Sequence, residues 1–354
     1  MGELADVDLD CFSLSSESDF QMPYALSLLD KSPVTQRGDA ETALANTVIY
    51  AQAAERAGYK RFWVAEHHHA AELAGPSPEV LAAYLLASTK HIRIGSGGVM
   101  LQHYSPYKVA ENFNLLAALG RGRVDLGVGK APGGLPLSTK ALQQEIDGAS
   151  RLDFNSKLEQ LSAFIGGDKI TSGLFEGLAA TPKPQTPVEK FVLGASPDSA
   201  LLAARSGWDF VYAGHLSGDT ANLQKTFDAY RNATGKVPVL ALGAVVAQRK
   251  DEVDAALSKI RIFKVHLASG TSVSVGTPEA AAEFARQAGE SDYRVEEKQP
   301  SVLAGSPEQV KQKLDALHAQ YGVHEFVLEF PAVSHEQRIA AISGLAEVRV
   351  AIAA

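Results

Sequence analysis

Short runs of β-branched and apolar residues alternate with longer helical patterns along most of this chain. Eight runs read as strands: Tyr24 to Leu29, Arg61 to Ala65, Ile92 to Ser96, Val124 to Val128, Phe191 to Leu193, Phe210 to Ala213, Val237 to Val246 and Phe326 to Phe330. They are mostly apolar on both faces, as strands of a parallel sheet covered by helices must be. Parallel neighbours need a crossover, and helical patterns follow most of the runs. These are Ala40 to Ala57, Pro78 to Ser88, Val109 to Leu119, Ser196 to Ser206 and Ser306 to Tyr321. The last opens with Ser306, Pro307 and Gln309, a capping box with proline in the first turn. Gly58, Gly207 and Gly322 supply the usual C-terminal stops. Eight strands with intervening helices predict an α/β fold, a (β/α)8 TIM barrel, with a doubly wound open sheet as the structural alternative.

Two regions exceed a minimal barrel and read as insertions after strands 4 and 7. Gly129 to Gln185 is long, and its second half is rich in Gly, Thr and Pro. Lys250 to His266 reads as a helix, and the polar stretch Leu267 to Leu303 is expected to form a mobile lid. Residues 1–20 are acidic, lack Lys and Arg, and read as a flexible head. Residues 21–354 then form one domain, although 354 residues alone would suggest two. The head has neither the basic start nor the apolar core of a secretory signal. No stretch approaches the roughly 20 apolar residues that span a bilayer, so the expected location is cytoplasmic, without a membrane partner. A net charge of -8 argues against a nucleic-acid partner. The single cysteine, Cys11, excludes an internal disulfide and an all-cysteine metal cage.

In a (β/α)8 barrel, residues just past each strand converge on one face. The second strand ends in Glu66-His67-His68-His69, and in extended chain His67 and His69 share a face. A metal site would need partners from other strand ends. His215 is one candidate and Glu329 a weaker one, so no metal is expected. The third strand runs into Gly95-Ser96-Gly97-Gly98, where missing Cβ atoms let a flat ligand approach the backbone. The fourth ends Gly127-Val128-Gly129-Lys130, placing a cation at the mouth. The fifth ends Gly194-Ala195-Ser196-Pro197-Asp198-Ser199, with Ser196 as N-cap of a helix whose start suits a phosphate. These residues point to a barrel enzyme for a phosphate-bearing ligand.

The same residues carry a resemblance. Glu66-His67-His68 after a Trp-containing strand resembles the Glu-His-His of bacterial luciferase. Ile94 to Leu101, Ser105-Pro106 and Ala110 to Leu116 are similar to the third strand and helix of that family. Gly122 to Gly133 resembles its fourth-strand signature. The likeness spans about Pro23 to Phe330 and is densest from Ala40 to Gly134. It implies a luciferase-like flavin-dependent monooxygenase, using reduced FMN as cosubstrate and O2 to oxidise a small hydrophobic molecule, such as an aldehyde, through a C4a-peroxyflavin. A separate NAD(P)H:flavin reductase and a homodimer are implied as partners. By position, His67 matches the catalytic histidine, and Gly97-Gly98 matches a cis peptide at the flavin face. Lys130, Ser196 and Ser199 match the FMN phosphate site. Three departures stand out: Lys130 replaces an arginine, Ala195 a glutamate and Gly129 a cysteine. Luminescence is not expected. The alternatives are an F420-dependent oxidoreductase of the same superfamily, a flavin-binding protein without turnover, and a metal-dependent hydrolase using His67, His69 and His215.

Overall fold

All eight expected barrel strands form, and they close on themselves in the computed structural model, which describes residues 22–35, 38–144, 151–216, 218–298, 301–331 and 333–350. The first seven are β1 (Ala25–Asp30), β2 (Arg61–Val64), β3 (Arg93–Met100), β4 (Val124–Gly129), β5 (Glu189–Gly194), β6 (Asp209–Ala213) and β7 (Val239–Val246). Four strands of a later insertion follow, β8 (Ile262–Leu267), β9 (Ser272–Val275), β10 (Tyr293–Lys298) and β11 (Val302–Gly305), and the eighth barrel strand is β12 (Glu325–Glu329). Each barrel strand pairs in parallel with the next, β7 pairs with both β6 and β12, and β12 returns to β1. The fold is an α/β TIM barrel.

The crossovers are α1 (Ala40–Arg56), α2 (Pro78–Ser88), α3 (Pro106–Gly120), α6 (Pro197–Ser206), α7 (Thr220–Thr234) and α10 (Pro307–Tyr321), with α11 (His335–Val350) closing the ring. Two more, α4 (Pro136–Gln143) and α5 (Phe154–Phe164), lie in the insertion after β4. Their limits follow local chemistry. Asp39 caps α1 by accepting from the Thr42 amide, and both halves of the Ser306–Gln309 capping box start α10. Gly207 and Gly322 end α6 and α10 with φ of 67° and 72°, a left-handed turn that costs glycine little.

Period two along each strand sends alternate side chains into the barrel. On β2 that stripe is Arg61, Trp63, Ala65; on β12 it is Glu325, Val327, Glu329. The middle layer is apolar, with Leu29, Trp63, Phe191, Val211, Ala241 and Val327 packed together. Below it, at the N-terminal ends, Arg61 is 1% exposed and makes ion pairs with Asp125, Glu189 and Glu325. Arg93 and the Trp63 indole also donate to Asp125. Gly97 belongs to this packing: a Cβ there would stand 2.7 Å from Leu29 Cδ1 and 3.1 Å from Trp63 Cβ.

The insertion after β7 differs from the sequence reading. The helix expected from Lys250 to His266 stops early: α8 covers Lys250–Leu257, and Ile262–Leu267 is β8. Phe263, Val265 and Leu267 alternate inward with Lys264 and His266 outward, a strand period that overrides the helical start. β8 pairs antiparallel with β9 and β10, and α9 (Pro278–Ala288) covers one face. β11 then adds to the outside of β7. The insertions meet where Leu135 packs on the α9 cluster and the Leu137 amide donates to Gln287. Residues 1–20, expected as a flexible head and including Cys11, lie outside the described residues.

Candidate active site

Above the apolar layer, the C-terminal strand ends and the β8–β10 insertion enclose a cavity of about 550 Å³, within the usual range for small-molecule sites. His67 reaches it two residues beyond Ala65, and its amide donates to Gly75. Its Nδ1 is buried with no hydrogen-bond partner. Burial, reinforced by the Lys31 charge, lowers the His67 pKa to about 4, so the ring is neutral at pH 7. His215, past β6, shares this condition: Nδ1 is buried and unpartnered, and burial brings its pKa to about 4.

Between them lies an ion pair that the sequence reading largely missed. Lys31 Nζ is 2.6 Å from Glu329 Oε1, and His215 Nε2 is 3.9 Å from Glu329 Oε2. Burial alone would raise the Glu329 carboxyl, but the Lys31 charge brings it down to about 2. Lys31 could have been found by extending the inward stripe of β1 from Ser27 and Leu29 by one more step. It was hidden because it falls beyond the apolar run, before Ser32-Pro33.

The other histidines do different work. His68 Nε2 and the Tyr104 hydroxyl meet Glu66 Oε1 at 2.7 and 2.8 Å, while the Met100 amide donates to Glu66 Oε2 at 3.0 Å. Glu66 is fully buried, and burial raises its pKa. It ties the end of β3 to the end of β2. His69 also lines the cavity, but it is exposed and has φ of 53°, so the extended geometry expected there is absent. Among the described residues, no three His, Cys, Asp or Glu side chains are grouped to hold a metal.

The expected cofactor residues occupy adjoining strand ends. The Gly97–Gly98 peptide is cis. Both glycines are buried in β3, and Gly97 pairs with Gly127 of β4. Lys130 follows β4, is exposed, and makes no ion pair among the described residues. Ser196 caps α6 by accepting from the Ser199 amide, and the two hydroxyl oxygens are 3.0 Å apart. A Cβ on Gly194 would stand 2.6 Å from Ser199 Cβ, so glycine there admits this serine pair. Of the expected set, only His67 lines the cavity described above; Gly97, Gly98, Lys130, Ser196 and Ser199 do not. The donor chemistry of Lys130, two hydroxyls and a ten-residue helix start fits a phosphate.

Residues 24–325 match the luciferase-like monooxygenase family. The chain belongs to that family. It is 42% identical over 310 residues to N-acetyl-S-alkylcysteine monooxygenase of Bacillus subtilis (strain 168), covering 86% of this chain and 92% of that protein. Among solved structures, apo-MsnO8 aligns with TM-score 0.72 and 31% identity, over 92% of this chain and 97% of that one. Two more distant solved structures share the fold. The oxygenating constituent of 3,6-diketocamphane monooxygenase from Pseudomonas putida, in complex with FMN, has TM-score 0.65 and 17% identity, over 94% of this chain and 99% of that one. An F420-dependent secondary alcohol dehydrogenase has TM-score 0.63 and 18% identity, over 92% of this chain and 98% of that one. This luciferase-like chain is therefore an oxidoreductase of a monooxygenase family.

Proposed function

We propose that this protein is an FMN-dependent monooxygenase that takes reduced FMN and O2 and places one oxygen atom on a small, largely apolar substrate. The second oxygen leaves as water, and the flavin supplies both electrons. The observation that carries the reading is the neutral, half-buried His67, whose Nδ1 is buried without a hydrogen-bond partner and which lines a cavity of mixed apolar and charged wall beside the Gly97–Gly98 strand. His67 would hold or pass a proton at Nδ1. Lys130, Ser196, Ser199 and the start of α6 would hold the FMN phosphate, and Gly97 and Gly98 would face the ring system. The β8–β10 insertion would act as the lid that keeps water out.

The substrate of the 42%-identical relative makes an N-acylated thioether the first compound to try, with a long-chain aldehyde as the second. Incubating the protein with reduced FMN, O2 and N-acetyl-S-benzylcysteine should consume the thioether. Flavin reoxidation without any oxidised product, for either compound, would sink the reading. Titration with FMN and F420 separates the proposed reaction from F420-dependent hydride transfer. Tight FMN binding without turnover would mark a binding protein.

A separate NAD(P)H:flavin reductase is the proposed source of reduced FMN. A homodimer is proposed on the apolar side chains Val80 and Tyr84 of α2 and Leu115 and Leu119 of α3, which are exposed on adjacent helices. Sedimentation of a Leu119→Asp variant tests that assembly. No helix among the described residues is long and apolar enough to cross a membrane. Cytoplasmic residence remains part of the proposal.

A further inference from the structure

One charged group of the insertion faces the cavity and has no part in the chemistry above. Arg261 precedes β8 and lines the cavity, as do Ile260 and Ile262 on either side of it. Its guanidinium is fixed on two sides. Nε and Nη2 donate to the two Glu297 oxygens at 2.9 and 3.0 Å, and the Phe263 ring lies 4.7 Å from the guanidinium carbon. A guanidinium has five N–H groups in a planar fork. The Glu297 carboxylate takes the edge formed by Nε and Nη2. The Nη1 and Nη2 edge keeps three hydrogens with no partner among the described residues. That second edge has the spacing to accept another carboxylate bidentately.

The rest of the wall narrows the choice of ligand. Val275, Val302 and Leu73 supply apolar surface. Lys31, the other permanent cation of the lining, is already paired with Glu329. Glu72 lines the same cavity and, like Arg261, is exposed, but its negative charge would repel a carboxylate. The histidines His67 and His215 are neutral. Arg261 therefore remains as the cation of the lining with an uncommitted N–H edge, oriented by Glu297 and Phe263 although its side chain is 51% exposed.

We infer that Arg261 binds the carboxylate of an amphipathic, anionic substrate and that the insertion thereby selects acids over their neutral analogues. This rests on the proposed oxygenation at the same site. It adds a specificity-determining residue carried on the lid rather than on the barrel. The substrate's apolar part would lie against Ile262 and Val275.

The test compares N-acetyl-S-benzylcysteine with its primary carboxamide, which has the same shape but no charge. Equilibrium binding of each is measured by calorimetry on the full chain with oxidised FMN present. Wild type should prefer the acid by about tenfold or more. Arg261→Ala should abolish that preference while leaving the weak binding of the amide unchanged, and Arg261→Lys should restore part of it. Steady-state turnover of the two compounds should show the same ratio in KM with kcat preserved. Equal binding of acid and amide by wild type, a preference that survives in Arg261→Ala, or no binding of either compound would overturn the inference. Selective binding without oxidation would leave it standing while rejecting the proposed reaction.

Discussion

The two ends of the barrel hold similar side chains in opposite conditions. At the N-terminal end, Arg61, Arg93 and Lys60 face Asp125, Glu189 and Glu325, three charges of each sign, and almost every polar atom of Arg61 is engaged. At the C-terminal end, Lys31 and Glu329 pair with each other, but the imidazoles beside them are left neutral with unpartnered nitrogens. Both ends are built from the same inward stripes: β12 contributes Glu325 to one and Glu329 to the other. A fully satisfied network closes one end, whereas unsatisfied polar atoms beside a cavity mark the end that waits for ligands.

Breaking the closed end should have the largest effect on stability. Arg61→Met leaves Glu325 buried without its main partner and takes from Asp125 one of its two arginines, and should cost about 3–5 kcal/mol, read from denaturant unfolding. A loss below about 1 kcal/mol would mean that this cluster behaves like surface ion pairs and that the contrast is wrong.

At the open end, His67→Ala should lower turnover by roughly 10²-fold or more, as for a lost acid or base, while FMN affinity and unfolding midpoint change little. Wild-type turnover in the variant would remove His67 from the chemistry.

The pH dependence of stability sharpens the same comparison. His67 and His215 have folded pKa values near 4, below the ordinary value of 6.5. The unfolded chain therefore binds their protons first. Stability is full above pH 6.5 and falls as pH drops from there towards 4, by on the order of 2–3 kcal/mol per histidine. His215→Gln should flatten that decline in a series of thermal melts, and an unchanged slope would mean that His215 is not held neutral.

The smallest effect is expected at the rim. Lys130→Ala should weaken FMN binding by about tenfold, or ~1.4 kcal/mol, with stability intact. Unaltered affinity would assign the phosphate elsewhere.

The barrel was legible because its strands are apolar on both faces and its helices carry explicit caps, as at Ser306 and Ser196. The insertion was not. β10 is almost wholly exposed and charged, with Arg294, Glu296, Glu297 and Lys298, so burial leaves no periodic trace in it. It is held by pairing to β8 and by contacts such as Arg261 with Glu297. β8 was hidden because no glycine or proline separates it from α8. Glu66, His67 and Lys130 could be read as strand-end residues. Lys31 needed the inward stripe of β1 carried one step past its apolar run, and Arg261 was beyond reach, since its importance comes from which inserted turn meets the strand ends at the cavity. Gly97 shows the reverse: a glycine read as space for a ligand is also space for Leu29 and Trp63.

Strands β8, β9 and β10 of the insertion hydrogen-bond to one another, and among the described residues no strand pairing joins these three to the barrel, which only β11 reaches through β7. Such a sheet can detach as one cooperative unit while every rung of the barrel stays intact. Its amides would then exchange with solvent as a group, ahead of those in β1 to β7. Ligand bound beneath it would slow that exchange, turning occupancy of the pocket into a protection pattern readable along β8 to β10.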